Sequence, residues 1–407
     1  MKTPILRFPT CVEKGGTWQP FKVEDLGKFL RGQTYSRNKV TGACTDVLII
    51  RSSNLKDAWY VDVSVDPQYV SIEVSDELQL KKDDVVICTA NGSTSLVGKA
   101  SIYDGQYKGR VSWGAFCAVF RPTNELSKYF FSTNRYKKLI SIHKQGGNGA
   151  LANLNIQAIS KEEIYFPVLE EEQQKISSFF TALDEKIFIS EKRLACLETL
   201  KKGVVQKIFS QKIRFKREDG TNFNDWALKP IGSIGHISTG STPKTSNEEY
   251  FGGQYLWVTP TDISGKEIIN TARTLTEAGL AASRIIPANS ILVTCIASIG
   301  KNCILRGIGS CNQQINAITP NELFDPDFVY YAMCKNEQVL HANAGRGGME
   351  ILNKSDFSNI EILFPCKDEQ KKISESLTTV DEKISIVRKR LVSLHLLKKS
   401  LMQQMFV

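Results

Sequence analysis

The residues from Glu172 to Ser210 are written a second time, 197 positions further on, as Glu369 to Val407, and 20 of the 39 aligned positions are identical. Glu-Gln-x-Lys-Ile-Ser opens both copies, at 172–177 and 369–374. Asp-Glu-Lys-Ile follows at 184–187 and 381–384, Lys-Arg-Leu at 192–194 and 389–391, and Leu-Lys-Lys at 200–202 and 397–399. Agreement at one fixed offset means duplication. Apolar residues recur at Ile176, Phe180, Leu183, Ile187, Leu194 and Leu197, and in the copy at Ile373, Leu377, Val380, Ile384, Leu391 and Leu394. Their steps of three, four and seven are those of a coiled-coil seam. Neither copy contains Pro, and Gly203 is the only Gly. Each therefore predicts an unbroken helix of roughly 55–60 Å at ~1.5 Å per residue. These twelve side chains are expected to pair the helices antiparallel, because a stripe this long needs a partner of matching length. The alternative is that each helix packs only on its own domain.

The repeat continues upstream, more weakly. Leu154-Asn155 matches Leu352-Asn353, and Glu163-Ile164-Tyr165-Phe166-Pro167 matches Glu361-Ile362-Leu363-Phe364-Pro365. Trp18, Leu26-Gly27, Gly32 and Thr34 find counterparts in Trp226, Ile234-Gly235, Gly240 and Thr242. Between these landmarks both copies read as β-rich, with strand-like runs at 47–50, 85–88, 115–120, 255–258 and 291–294, yet the sequences there scarcely agree. Kept ends around a divergent middle suit two modules of one build shaped for different ligands. The expected organisation is α+β: two β-rich globular domains (1–168 and 214–365) separated by two long antiparallel coiled-coil helices (169–213 and 366–407), an internal pseudo-two-fold repeat.

Charge and cysteine usage narrow the function. The net charge is +9, unevenly spread: residues 1–168 hold 22 Lys and Arg against 16 Asp and Glu, whereas 216–365 hold 12 against 15. The first domain suits a polyanion, and the second needs a local basic face or a partner's help to bind one. Ten cysteines include no C-x-x-C pair, which argues against zinc and disulfides and for small buried apolar residues in a reducing cytoplasm. No apolar run reaches the ~18 residues of a membrane span.

Catalytic motifs are missing. Gly92 to Gly98-Lys99-Ala100 resembles a phosphate loop, but five residues separate the glycines and Ala stands where Ser or Thr would hold magnesium. It reads instead as a strand–turn segment, with a counterpart at Ser298-Ile299-Gly300-Lys301. No Asn-Pro-Pro-aromatic or Asp-Pro-Pro-aromatic loop for adenine methylation and no Asp…Glu-x-Lys nuclease pattern occurs. His143, His236, His341 and His395 are isolated, so no metal site is expected.

Three elements resemble the specificity subunit of type I restriction–modification enzymes, over nearly the whole chain. One is the module opening, Arg7-Phe8-Pro9 before Trp18 and Arg214-Phe215 before Trp226. Another is Thr239-Gly240-Ser241-Thr242-Pro243 with Tyr250-Phe251-Gly252-Gly253 and the run from Trp257 to Ile263. The last is Phe-Pro followed by Glu-Gln-x-x-Ile, at 166–176 and 364–373. The resemblance implies two target-recognition domains, each reading one half of a bipartite, asymmetric site in double-stranded DNA, with helices that set the spacing. It also implies docking of two methyltransferase subunits, which carry S-adenosylmethionine, and of restriction subunits that cleave. The chain itself is expected to hold no cofactor and no catalytic residue.

Base edges are read by Arg, Lys, Asn and Gln, and phosphates are held by Lys, Arg, Ser, Thr and backbone amides. The candidate loops in the first domain hold Arg31, Gln33, Thr34, Arg37 and Lys39, then Arg51 and Ser52, then Lys144 and Gln145 before Gly146-Gly147. In the second domain they hold Thr242, Lys244 and Thr245, then Thr259 and Thr261, then Arg346 before Gly347-Gly348. Lys99 and Lys301 complete the set. Three rivals remain: a reader serving a fused nuclease–methyltransferase, a stand-alone transcription regulator, and a coiled-coil scaffold with two β-rich heads for protein or glycan.

Overall fold

The computed structural model describes residues 3–56, 59–146, 151–345 and 350–407. The chain divides into two compact units, Met1–Glu191 with Arg390–Val407, and Lys192–Lys389. Among the described residues no helix is long and apolar enough to cross a membrane.

In unit 1 the run Val85–Cys88 becomes the middle of a five-stranded sheet, in the order Gly27–Arg31, Cys117–Pro122, Val85–Cys88, Ala100–Ile102, Trp59–Tyr60. The period of two sorts its side chains. Val85 and Ile87 join a core with Trp18, Phe120, Tyr129 and Phe131, while Val86 and Cys88 face the opposite core with Leu30, Trp113 and Val119. Burial on both faces is why this strand reads as continuously apolar. A second sheet orders Val111–Trp113, Val47–Ile50, Tyr69–Val70 and Val40–Thr41.

Unit 2 repeats the plan. Gly235–Thr239, Ile315–Pro320, Ser290–Thr294 and Asn302–Leu305 form its main sheet, all antiparallel. Ile291 and Val293 face one core and Leu292 the other. The expected strands at 47–50, 85–88, 255–258 and 291–294 are present. The run at 115–120 is not one strand, because Cys117 N–H donates to the Gly114 carbonyl (2.8 Å) and closes a turn, so the strand starts only at Cys117.

Each β-rich module is closed by its ends. Trp18–Lys22 pairs with Glu163–Pro167, and Ala227–Pro230 with Glu361–Phe364, which accounts for the shared Phe-Pro landmarks. The helices that follow run over Glu170–Phe209 and Lys367–Met405, unbroken as expected. A buried carboxylate locks each start. Glu172 accepts from Arg7 Nε (2.8 Å), Arg7 Nη2 (2.7 Å) and the Trp18 indole (3.2 Å). Glu369 does the same with Arg214 Nε (3.2 Å), Arg214 Nη2 (2.9 Å) and the Trp226 indole (3.2 Å). The next residue binds the strand end: Gln173 Nε2 donates to the Pro167 carbonyl and Gln370 Nε2 to that of Pro365. The Arg, Trp, Phe-Pro and Glu-Gln landmarks are thus one joint.

The apolar stripes serve two neighbours. Ile176, Phe180, Leu183 and Ile187 share a core with the β-rich module of unit 1 and with Leu391, Leu394, Met402 and Met405 of the second long helix. In unit 2, Ile373 and Leu377 share a core with Trp226 and Phe328 and with Val204, Val205, Ile208 and Phe209. Leu194, Leu197 and Val380 are half-buried, and Ile384 is buried. Charged pairs join the helices within each unit. Asp184 meets Lys398 (2.7 Å) in unit 1, and the copied pair Lys201 meets Asp381 (2.6 Å) in unit 2. Glu191 meets His395 (3.6 Å), and at the copied positions Arg388 meets Glu198 (2.5 Å), with the signs exchanged.

Candidate nucleic-acid interface

The tightest meeting point of the candidate loops in unit 1 is the Gly114–Cys117 turn. Gln33 N–H donates to the Trp113 carbonyl (2.8 Å), and Gly114 N–H to that of Ile50 (3.0 Å), just before Arg51 and Ser52. Thr89 N–H donates to the Phe116 carbonyl (2.8 Å), and Asn91 Nδ2 to Ser52 Oγ (2.9 Å). The strand Ala90–Asn91 pairs with Ala152–Leu154, which pairs with Lys144–Gln145, so the third candidate loop joins the same surface. Gly32 is required here: a Cβ would lie 2.0 Å from the Gly114 oxygen. Gln33, Ser52, Lys144 and Gln145 therefore belong to one patch, with Thr34 next in chain and Arg31 exposed at the end of its strand.

Other residues stand elsewhere or are engaged. Arg37 and Lys39 precede Val40–Thr41, at the opposite edge of the four-stranded sheet from Val111–Trp113. The Arg51 guanidinium is held by Asp66, through Oδ2 (2.7 Å) and the carbonyl (2.8 Å). Lys144 Nζ donates to the Thr94 carbonyl (3.3 Å). The expected strand–turn character of 92–100 and 298–301 is found: Gly98 and Gly300 adopt φ of +90° and +89°, which favours glycine. Lys99 and Lys301 directly follow these glycines.

Unit 2 builds the matching surface. Ser241 N–H donates to the Cys311 carbonyl (2.8 Å), and Thr242 Oγ1 to Gln313 Oε1 (2.6 Å). Asn312 N–H donates to the Val258 carbonyl (2.9 Å), beside Thr259. Thr259 is turned onto Asp262 (Oγ1 to Oδ2, 2.6 Å) and lies 2.9 Å from the Thr261 hydroxyl. Lys244 and Thr245 are exposed in the loop after Pro243. Arg346, Gly347, Gly348 and Gly147 lie outside the described residues.

Sequence reasoning passed over two groups on these surfaces. One is the turn itself, Ala115-Phe116 in unit 1 and Asn312-Gln313-Gln314 in unit 2, whose neighbours come from segments about 20 to 80 residues away in sequence. The other is Arg284, which donates through Nη1 to the Thr239 carbonyl and through its N–H to Ser241 Oγ, both 2.6 Å. A cavity of about 1100 Å³ in unit 2 lies between the helices and Tyr330-Tyr331, away from these loops.

Four of the buried thiols are held above their ordinary range. Burial raises Cys88 and Cys295 to about 11 and Cys303 and Cys311 to about 12. Six cysteines are buried as expected, but Cys44, Cys196, Cys334 and Cys366 are exposed. Among the described residues no cluster of His, Cys, Asp or Glu has the makings of a metal site.

The family model for the type I restriction modification DNA specificity domain matches residues 15–199 and again residues 224–396. The chain belongs to this family. Over 190 residues, 45% of this chain, it is 32% identical to the type I restriction enzyme MjaIX specificity subunit of Methanocaldococcus jannaschii. Over 179 residues it is 29% identical to the HindI specificity subunit of Haemophilus influenzae. The chain spans only 44% and 39% of the length of those two relatives. A longer match, 25% identical over 328 residues, covers 75% of the chain and 73% of the putative MjaX specificity subunit of M. jannaschii. The fold is that of the S subunit from M. genitalium, at a TM-score of 0.66 and 14% identity, covering 100% of this chain and 99% of that one. The chain thus carries two copies of this DNA specificity domain, and the relatives it resembles are named specificity subunits.

Proposed function

We propose that the chain reads a bipartite, asymmetric target in double-stranded DNA, one half-site per β-rich module. One observation carries this reading: two surfaces share a backbone frame, but Ser241 stands where Gln33 does, Thr259 where Arg51 does and Gln314 where Phe116 does, while Thr34 and Lys99 keep their residue type as Thr242 and Lys301. A frame used twice with different side chains suits two different base sequences, where a symmetric dimer would require a palindrome. The long helices pair antiparallel and set the gap between half-sites. The repeated pairs Asp184–Lys398 and Lys201–Asp381 support that pairing. A 40-residue helix extends about 60 Å, against a B-DNA repeat of about 34 Å. The helices also dock two methyltransferase subunits, which bring S-adenosylmethionine, and restriction subunits complete the assembly in the cytoplasm. The chain itself binds no cofactor.

The test is a base-resolution methylation map of the source cells with the gene intact and deleted. Loss of one bipartite adenine motif, and nothing else, is the expected result, and no change in the map would refute the reading. A finer prediction concerns unit 1. Arg31→Ala with Gln33→Ala should weaken binding by about 1–3 kcal/mol per lost base contact, at one half-site only. Binding competition between duplexes altered in one half or the other measures it. Equal loss at both halves would contradict two separate readers.

A further inference from the structure

The turn that both interfaces are built around repeats bond for bond. Gly114 N–H to Ile50 carbonyl (3.0 Å) in unit 1 becomes Asn312 N–H to Val258 carbonyl (2.9 Å) in unit 2. Gln33 to Trp113 becomes Ser241 to Cys311, Thr89 to Phe116 becomes Cys295 to Gln314, and Leu154 to Thr89 becomes Leu352 to Cys295, all at 2.8 Å. Each turn is pressed by a glycine with no room for a Cβ: Gly32 against the Gly114 oxygen at 2.0 Å, Gly240 against the Asn312 oxygen at 2.2 Å. Backbone held from four sides is a rigid mount.

The mounts carry opposite chemistry. At the tip of the first, Phe116 is 62% exposed, although its neighbours Trp113, Cys117 and Val119 are buried. At the tip of the second stand two amides. Gln313 is exposed and steadied by the Thr242 hydroxyl (2.6 Å), while Gln314 is tied back by Asn312 Nδ2 (3.0 Å to Oε1). Gln313 keeps both amide protons and the second lone pair of Oε1 for an incoming group. In the major groove, an apolar tip matches the thymine methyl, and a Gln amide matches adenine N6 and N7 bidentately.

Resting on the reading of this chain as a two-half-site reader, we propose that this turn is a specificity determinant in both units. Phe116 selects a thymine through its methyl group, and Gln313, positioned by Thr242, selects an adenine. The two half-sites then owe one letter each to neighbouring points of one frame: by the repeated bonds Gln313 stands at the position of Ala115, one residue before that of Phe116.

The test is the same methylation map, made with Phe116→Ala, Gln313→Ala and Gln313→Glu in the chromosomal gene, beside the intact and deleted gene. F116A should relax one T·A position of one half-site, with discrimination there falling about 5- to 150-fold, as for a single base contact. Q313A should relax one A·T position of the other half-site by a similar factor. Q313E, which only accepts, should turn that position toward cytosine. Both side chains are at the surface, so the three purified variants should melt with the parent chain. Unaltered motifs in all three, with the parent's motif present and lost on deletion, would overturn the turn's role and leave the two-reader function standing. Loosening of both half-sites by either variant, or loss of all methylation by a chain that melts normally, would also overturn it. If deleting the gene removes no motif, the underlying reading falls and this proposal falls with it.

Discussion

Lys398→Met is expected to lower the stability of unit 1 by about 3–5 kcal/mol, the usual cost of leaving one member of a buried ion pair alone. The copied substitution, Lys201→Met, should cost unit 2 only about 1 kcal/mol. The difference lies in burial. Lys398 and Asp184 side chains are 8% and 1% exposed, whereas Lys201 and Asp381 are 28% and 21% exposed. Trp59 makes the difference in unit 1, since its ring lies 4.8 Å from Lys398 Nζ and covers the pair. Burial raises the Asp184 carboxyl, and Lys398 is what pulls it back. Without the ammonium the raising grows, and the sign of the pH dependence follows. Stability associated with the neutral acid is fully present below the unfolded value of about 3.8, and it is lost as pH rises through the raised folded value. The penalty of K398M should therefore shrink from pH 7.5 to pH 5. Adding Asp184→Asn should restore most of the loss at pH 7.5, because no charge is then buried alone. Hydrogen exchange of Val85–Cys88 for unit 1 and Ser290–Thr294 for unit 2 reads the two effects separately. Equal losses in the two units would refute the burial argument.

Glu172→Ala should be as costly, about 3–5 kcal/mol in unit 1, and Glu369→Ala should match it in unit 2. Both carboxylates are fully buried, and the paired Arg7 and Arg214 side chains are only 12% and 22% exposed. Each pair is forked, and each carboxylate also accepts an indole N–H. Removing the carboxylate strands an arginine and a tryptophan N–H together. The carboxylate in turn holds Arg7 and Arg214 above their ordinary values through these hydrogen bonds. Glu172→Gln keeps an acceptor but no charge, and should lose roughly half as much. Exchange should rise first in Trp18–Lys22 for E172A and in Ala227–Pro230 for E369A. A loss under about 1 kcal/mol would mean that the joint is ornamental to stability.

The joint explains why so much was legible. Arg7, Trp18, Pro167, Glu172 and Gln173 are far apart in sequence but form one contact set, so their spacing survives duplication as landmarks. The long helices were legible for a simpler reason: a heptad stripe without Pro is a local signal. The apolar runs at 85–88 and 291–294 were equally plain, since strands buried on both faces read as continuous.

The candidate interface was only half legible. Loop composition pointed to Gln33, Ser52, Lys144, Gln145 and Thr242, because polar residues between apolar strands are visible in one dimension. It could not separate those from Arg37 and Lys39, three strands away across a sheet, or from Arg51, whose charge Asp66 holds. It also merged Phe116 into an apolar strand, since only the hydrogen bond that closes Gly114–Cys117 turns that ring outward. Local pattern by itself determined the duplication, the helices, the core strands and the family's landmarks. Tertiary structure alone decided which loops share a surface and which charges are already engaged, because those facts depend on contacts between residues tens to hundreds of positions apart.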